Sequence, residues 1–114
     1  MLRFVAVLGC VAMTMAFSTA SHAGSVTDAV ITKLAVNKQF GDIVFISVTL
    51  TKDSTPACHT NGSWTFVMPL TSEQDKKYYA LLLAARTTQT PVTLVGTSTC
   101  DHFGSIESLQ GIAY

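Results

Sequence analysis

The chain has 114 residues, with seven Lys plus Arg balanced by seven Asp plus Glu for a formal net charge of zero. That length allows one domain, and the charge balance removes the strongest electrostatic reason to expect nucleic acid as a partner. Charged residues make up only 12%, about half the roughly 25% usual in soluble domains. Thr and Ser fill the polar positions instead, as suits strands with hydroxylated outer faces that present an uncharged surface to carbohydrate or to neighbouring subunits.

At the start of the chain, Arg3, the apolar run from Phe4 to Phe17 and the small-residue exit Ser21-His22-Ala23 have the order of a secretory signal peptide. The run is about 14 residues, short of the ~20 that a spanning helix requires. A cleaved leader over 1–23 and a single domain over 24–114 are therefore expected, exported to the periplasm or the medium, with no stable membrane span. Val7-Leu8-Gly9-Cys10 resembles a lipoprotein cleavage box that would lipidate Cys10, but it would cut the hydrophobic run in half. With Cys10 removed, Cys58 and Cys100 form an even pair, which in an oxidising compartment most simply make one disulfide.

The segment from Val26 to Val36 is rich in Val, Ile, Leu and Thr, with Val30, Leu34 and Val36 on one parity, and reads as a first strand. Asn37 to Asp42 is turn chemistry, since Asn and Gly tolerate a left-handed backbone. Val44, Ile46, Val48 and Leu50 then alternate with Ser47, Thr49 and Thr51, predicting a half-buried second strand. Lys52 to Gly62 reads as a loop, and Ser63 to Met68 as a third strand with Trp64, Phe66 and Met68 on one face. After Pro69, Thr71 with Gln74 or Ser72 with Asp75 offers a capping arrangement. The helix that follows places Glu73 and Asp75 in its first turn and Arg86 in its last, as the helix dipole favours. Tyr78 to Ala85 is apolar on nearly every side, which predicts a helix sandwiched between partners. Val92 to Thr97 and Ile106 to Ala113 read as the last two strands.

The predicted class is mainly β with one helix (α+β), in the order strand, strand, strand, helix, strand, strand. This is the order of the OB-fold, a five-stranded barrel whose helix plugs one end.

Three stretches carry a family resemblance: Ala29-Val30-Ile31-Thr32, the Cys58 to Trp64 segment, and Tyr79-Ala80 through Thr87-Thr88-Gln89-Thr90-Pro91-Val92. Together they resemble the B subunits of subtilase-cytotoxin and pertussis-like toxins, exported OB-fold proteins that assemble as pentamers and bind sialylated glycans. The resemblance implies a homopentamer and a glycan receptor. It also implies a role for Thr27, which matches a hydroxyl residue just before the first strand that contacts the sialic acid carboxylate. Gly96 stands where the family has a tyrosine of the glycan pocket. In such a pentamer the helices line a central pore, which would place Lys76 and Lys77 there as a positive ring; otherwise they are a solvated face.

Cys58-His59 and Cys100-Asp101-His102 would be drawn together by a disulfide. Two thiolates and two imidazoles also suit zinc, but the spacings are not those of a zinc finger, so no metal is expected and the histidines read as exposed loop residues. A disulfide consumes the only candidate thiol nucleophiles of the domain, Glu73 and Glu107 are its only glutamates, and there is no phosphate-binding glycine loop or HExxH. The domain is expected to be non-enzymatic and without a cofactor. Trp64 reads either as barrel core with Phe66 and Met68 or as a sugar-stacking platform, with Thr60, Asn61 and Ser63 as hydrogen-bonding neighbours. The expected function is a binding module that recognises a glycan or a protein surface through Thr27, Thr60, Asn61, Ser63 and Trp64. The alternative is a periplasmic structural or inhibitory protein whose strand edges pair with a partner chain.

Overall fold

The computed structural model describes residues 23–114, so the leader reading, apart from Ala23, and the question of Cys10 lie outside the described residues. The segment expected as one strand from Val26 to Val36 is two: β1 (Ser25–Ala29) and β2 (Ile31–Val36) meet at Val30 and belong to different sheets. Asp28 takes a positive φ of 54°. The register slips between Val26 and Ala29 against one partner strand and between Ile31 and Lys33 against the other. Bulges of this kind bend a strand and increase its twist. Thr49 secures the bend, its Oγ1 accepting from the Val30 N–H at 3.1 Å while its own N–H donates to the Val30 carbonyl at 3.0 Å.

The expected turn is a short 3-10 helix, Lys38–Phe40, capped by Asn37, whose Oδ1 accepts from the Gln39 N–H; Gly41 follows at a φ of +80°. β3 (Ile43–Val48) pairs antiparallel with β2 and with β4 (Phe66–Pro69), giving the sheet β2-β3-β4. After α1 (Glu73–Thr88), β5 (Val92–Gly96) and β6 (Leu109–Ala113) join β1 in the sheet β1-β5-β6. The fold is thus mainly β with one helix, as expected. Its six strands lie in two three-stranded sheets instead of the expected five in a closed barrel. The added strand comes from the bend at Val30. The last strand is shortened because Ile106–Ser108 lie outside the named strands: they form an antiparallel bridge Phe103↔Ile106 and a parallel bridge Val67↔Ser108, with Ser108 also bonded through its backbone to Thr97 and Thr99.

The main core lies between the sheets and under the helix. It contains Val26, Ile31, Val44, Ile46, Phe66, Met68, Leu82, Ala85 and Leu94, among others. The alternation read in the second strand holds for Val44 and Ile46, whereas Leu50 lies past the strand end and is exposed. Phe45 is also buried, on the opposite face, where it joins Val67 and Ile106 in a smaller cluster flanked by Trp64 and Phe103. β3 is therefore covered on both sides, and Trp64 belongs to this second cluster instead of sharing a face with Phe66 and Met68.

Ser72 and Asp75 form the capping box, Ser72 Oγ accepting from the Asp75 N–H at 3.1 Å and Asp75 Oδ2 from the Ser72 N–H at 3.0 Å. The expected sandwiched helix is corrected: α1 packs against β2 and β6 on one side, burying Leu82 and Ala85, while Leu81 and Leu83 remain exposed.

Cys58 and Cys100 form the expected disulfide, 42 residues apart. It ties the loop after β3 to the segment between β5 and β6. Closing a loop of that size removes unfolded-state entropy amounting to about 4 kcal/mol in the chain-entropy model. Replacing Cys58→Ser together with Cys100→Ser should therefore lower unfolding free energy by about that amount in urea titrations, which a dithiol reductant should reproduce in the unmodified protein.

Candidate functional site

Glu107 sits between Ile106 and Ser108 in the stretch that runs beside β4, and its side chain is fully buried. An ionised carboxylate removed from water requires a counter-charge and hydrogen bonds to its oxygens. Lys52, just beyond β3 with its side chain 5% exposed, supplies the charge: Nζ donates to Glu107 Oε1 at 3.0 Å. Glu107 Oε2 accepts from the Gly24 and Ser98 N–H groups, both at 3.0 Å. Lys52 Nζ also donates to the Thr65 carbonyl at 3.1 Å and lies 4.7 Å from the Phe66 ring centroid.

His59 completes the cluster. Its Nδ1 lies 3.2 Å from Lys52 Nζ and accepts from the Glu107 N–H at 2.9 Å. A ring nitrogen facing two N–H donors must be the unprotonated one, so this geometry selects the neutral imidazole with its proton on Nε2. Burial, with the Lys52 charge second, lowers the His59 pKa from the ordinary histidine value. Burial also lowers that of Lys52, with Glu107 opposing.

Two glycines make room for the carboxylate. A Cβ on Gly96 would fall 2.1 Å from Glu107 Oε2, and one on Gly24 would fall 2.6 Å from Oε1 and 2.5 Å from the Ser54 carbonyl.

Above this cluster is an open groove of about 360 Å³ between the end of β3 and the loop to β4. Lys52 and His59 line it, with Ser47, Thr49, Thr51, Thr55, Ser63 and Thr65; the hydroxyls of Ser47, Thr49 and Thr65 also bond to backbone. Asn61 Oδ1 accepts from the Ser63 and Trp64 N–H groups, forming the turn that presents the indole. Trp64 is half-buried; it lines the groove and also a separate apolar hollow of about 240 Å³ with Phe40, Phe45 and Phe103. Lys33 Nζ lies 4.7 Å from the Trp64 ring centroid. The two sequence readings of Trp64 meet here, since the ring packs on Phe45 and also borders open space.

Of the residues expected to bind, Asn61, Ser63 and Trp64 come together in this groove. Thr60 is exposed beside them. Thr27 lies within β1, not before the first strand, is exposed, and does not line the groove. The histidines expected as exposed loop residues separate: His59 is in the buried cluster, whereas His102 is exposed beside a hollow lined by Asp75 and Tyr78. Sequence reasoning missed Lys52, His59 and Glu107 as a unit. The available signal was Glu107 itself, an acid in a stretch with Ile106 and Leu109 that was expected to be strand. Among the described residues, no group of three or more His, Cys, Asp or Glu is placed to hold a metal ion.

No family model, curated protein or solved structure matches the chain.

Lys52→Met would leave the Glu107 carboxylate buried without its counter-charge, and should cost about 3–5 kcal/mol of unfolding free energy in urea. The unfolded chain binds the histidine proton near the ordinary pKa of about 6.5, and folded His59 resists it to lower pH. Stability should therefore be complete above that value and fall as pH drops from about 6.5 through the folded pKa. His59→Asn, which offers an amide oxygen in place of Nδ1, should flatten this part of the profile when midpoints are compared between about pH 5 and pH 8.

Proposed function

We propose that this is an exported, non-enzymatic binding module that holds a glycan in the groove between β3 and the loop to β4. The observation that carries the reading is the lining: six serines and threonines, Asn61 and one indole around an open hollow with Lys52 and His59 among its lining residues. An indole offers a flat apolar face and one N–H donor, and the short polar groups match sugar hydroxyls, while the one ammonium of the lining, Lys52, is already paired with Glu107.

The cluster beneath suits a floor better than a reaction centre. The His59 Nδ1 lone pair faces two donors, and three N–H groups engage the Glu107 oxygens, so neither stands ready as a general base. The thiols are joined to each other. Export is supported by that disulfide and by the leader-like start, and none of the helices among the described residues is long and apolar enough to cross a membrane.

An OB-type barrel is supported by two features. The bend at Val30 carries one chain path from sheet to sheet, and the parallel bridge Val67↔Ser108 joins the β4 edge to the segment entering β6. An OB-type barrel and a homopentamer are what the resemblance to toxin B subunits implies. The sugar site is read differently. The resemblance implies a pocket tyrosine at Gly96; in this chain the Glu107 carboxylate lies against Gly96 and leaves no room for a side chain, so the sugar is read into the groove instead. The exposed Leu81 and Leu83, which flank the buried Leu82 on different sides of α1, favour a second reading in which the helix contributes to a protein contact.

The test is a glycan array on the processed protein, followed by titration of the best ligands against the fluorescence of Trp64, the only tryptophan. Saturable binding with a change in emission is expected, weakened about tenfold or more by Trp64→Ala, the factor that 1.4 kcal/mol of lost stacking gives. An inert array, or ligands whose affinity ignores Trp64, would refute the groove as the binding site.

A further inference from the structure

The buried carboxylate has a partner whose chemistry depends on processing. Gly24 is buried, its nitrogen lies 3.0 Å from Glu107 Oε2, and it is the residue that cleavage after Ala23 would leave as the first of the chain. In the unprocessed chain that nitrogen is an amide. After cleavage it is an α-amine, protonated at neutral pH, since such groups titrate near 7.7–8.0. We propose that removal of the leader converts the Gly24 N–H contact into an ion pair between the new α-ammonium and Glu107, so that processing locks the domain through its buried carboxylate.

This inference rests on the leader reading and is independent of the glycan reading. The position is exacting: a Cβ on Gly24 would lie 2.5 Å from the Ser54 carbonyl and 2.6 Å from Glu107 Oε1, so the terminus that enters the site is a glycine. Hydrolysis of the Ala23–Gly24 peptide leaves the Ala23 carboxylate on the leader and an amine on Gly24, which takes up a proton. The hydrogen bond from Ser54 Oγ to the Ala23 carbonyl, 3.1 Å, is given up.

The charges facing the amine are Glu107 and, from the end of β3, Lys52, whose Cδ would lie 2.9 Å from a Gly24 Cβ; behind Lys52 is His59, neutral by its contacts. Asp53 is engaged at the next residue, accepting from the Ser25 N–H and Ser25 Oγ. Glu107 is thus the anion in direct contact with the Gly24 nitrogen, shared with Lys52 through its other oxygen.

The test compares exported protein beginning at Gly24, as verified by intact mass, with a version carrying two extra residues inserted after Ala23. The insertion keeps the Gly24 amide N–H and moves the charge away. The expected result is an unfolding equilibrium at least tenfold more favourable to the fold for the Gly24 terminus near pH 6.5. A pair with an ammonium loses its contribution as pH rises through the folded amine's pKa, so the advantage should shrink at alkaline pH. It should also vanish when both forms carry Glu107→Gln. Should that variant not fold, titration of the Gly24 α-amine by NMR in the unmodified processed protein decides the matter: a pKa above about 8 is expected. An amine that titrates at or below that value, equal stability of the two forms, or an exported chain that starts elsewhere would each overturn the proposal. An inert glycan array alongside a raised amine pKa would refute only the binding reading.

Discussion

Placing one carboxylate beyond the reach of water constrains most of this structure. Glu107 is fully buried, and each of its contacts reaches into a different part of the chain: Lys52 at the end of β3, Ser98 after β5, Gly24 before β1, and His59 through the Glu107 backbone. Removing an ion from water without such compensation costs several kcal/mol after relaxation. The segments that meet at Glu107 are therefore coupled, and any change that misplaces one leaves the charge uncompensated. The disulfide works in the same place, joining the residue before His59 to the segment that leads toward Glu107. Entropy and electrostatics hold the same loop.

This arrangement bears on the proposed site because Lys52 and His59 are members of the buried cluster and also line the groove. A loop of Thr, Ser, Asn and Gly without such a floor would lose too much entropy on ordering to present a defined surface. Here the Asn61 turn, the disulfide and the His59 contacts fix it from three sides. Trp64 is set by the same turn and by packing on Phe45, so its indole is pre-positioned beside the hydroxyls. Pre-positioning of this kind lowers the ordering cost of binding.

Much of the fold was legible in the sequence, for local reasons. The alternation around Val44 and Ile46, the Ser72–Asp75 capping box, the Asn37 to Asp42 turn and the Cys58–Cys100 pairing each express chemistry within a short window or a simple count. What could not be read locally was the bend at Val30, where alternation continues in the sequence while Asp28 adopts a left-handed backbone and Thr49, distant in sequence, secures the turn. The one-sided helix was misjudged because an all-round apolar stretch does not say which face meets a sheet. That Asn61, Ser63 and Trp64 lie together was legible because they are sequence neighbours. Lys52, His59 and Glu107 were not, because their relation exists only once 55 residues of chain have closed between the lysine and the glutamate. Gly96, read first as a missing tyrosine, is explained by the same closure: the carboxylate takes the space that a side chain would fill.

The hydrogen-bonding state of His59 reports on the cluster most directly, since Nδ1 faces Lys52 Nζ and accepts from the Glu107 N–H only if it carries no proton. Nitrogen-15 NMR of the imidazoles at neutral pH distinguishes the states. The account predicts a neutral His59 ring protonated at Nε2, with Nδ1 as the acceptor. A ring protonated at Nδ1, or a charged imidazolium at that pH, would contradict it.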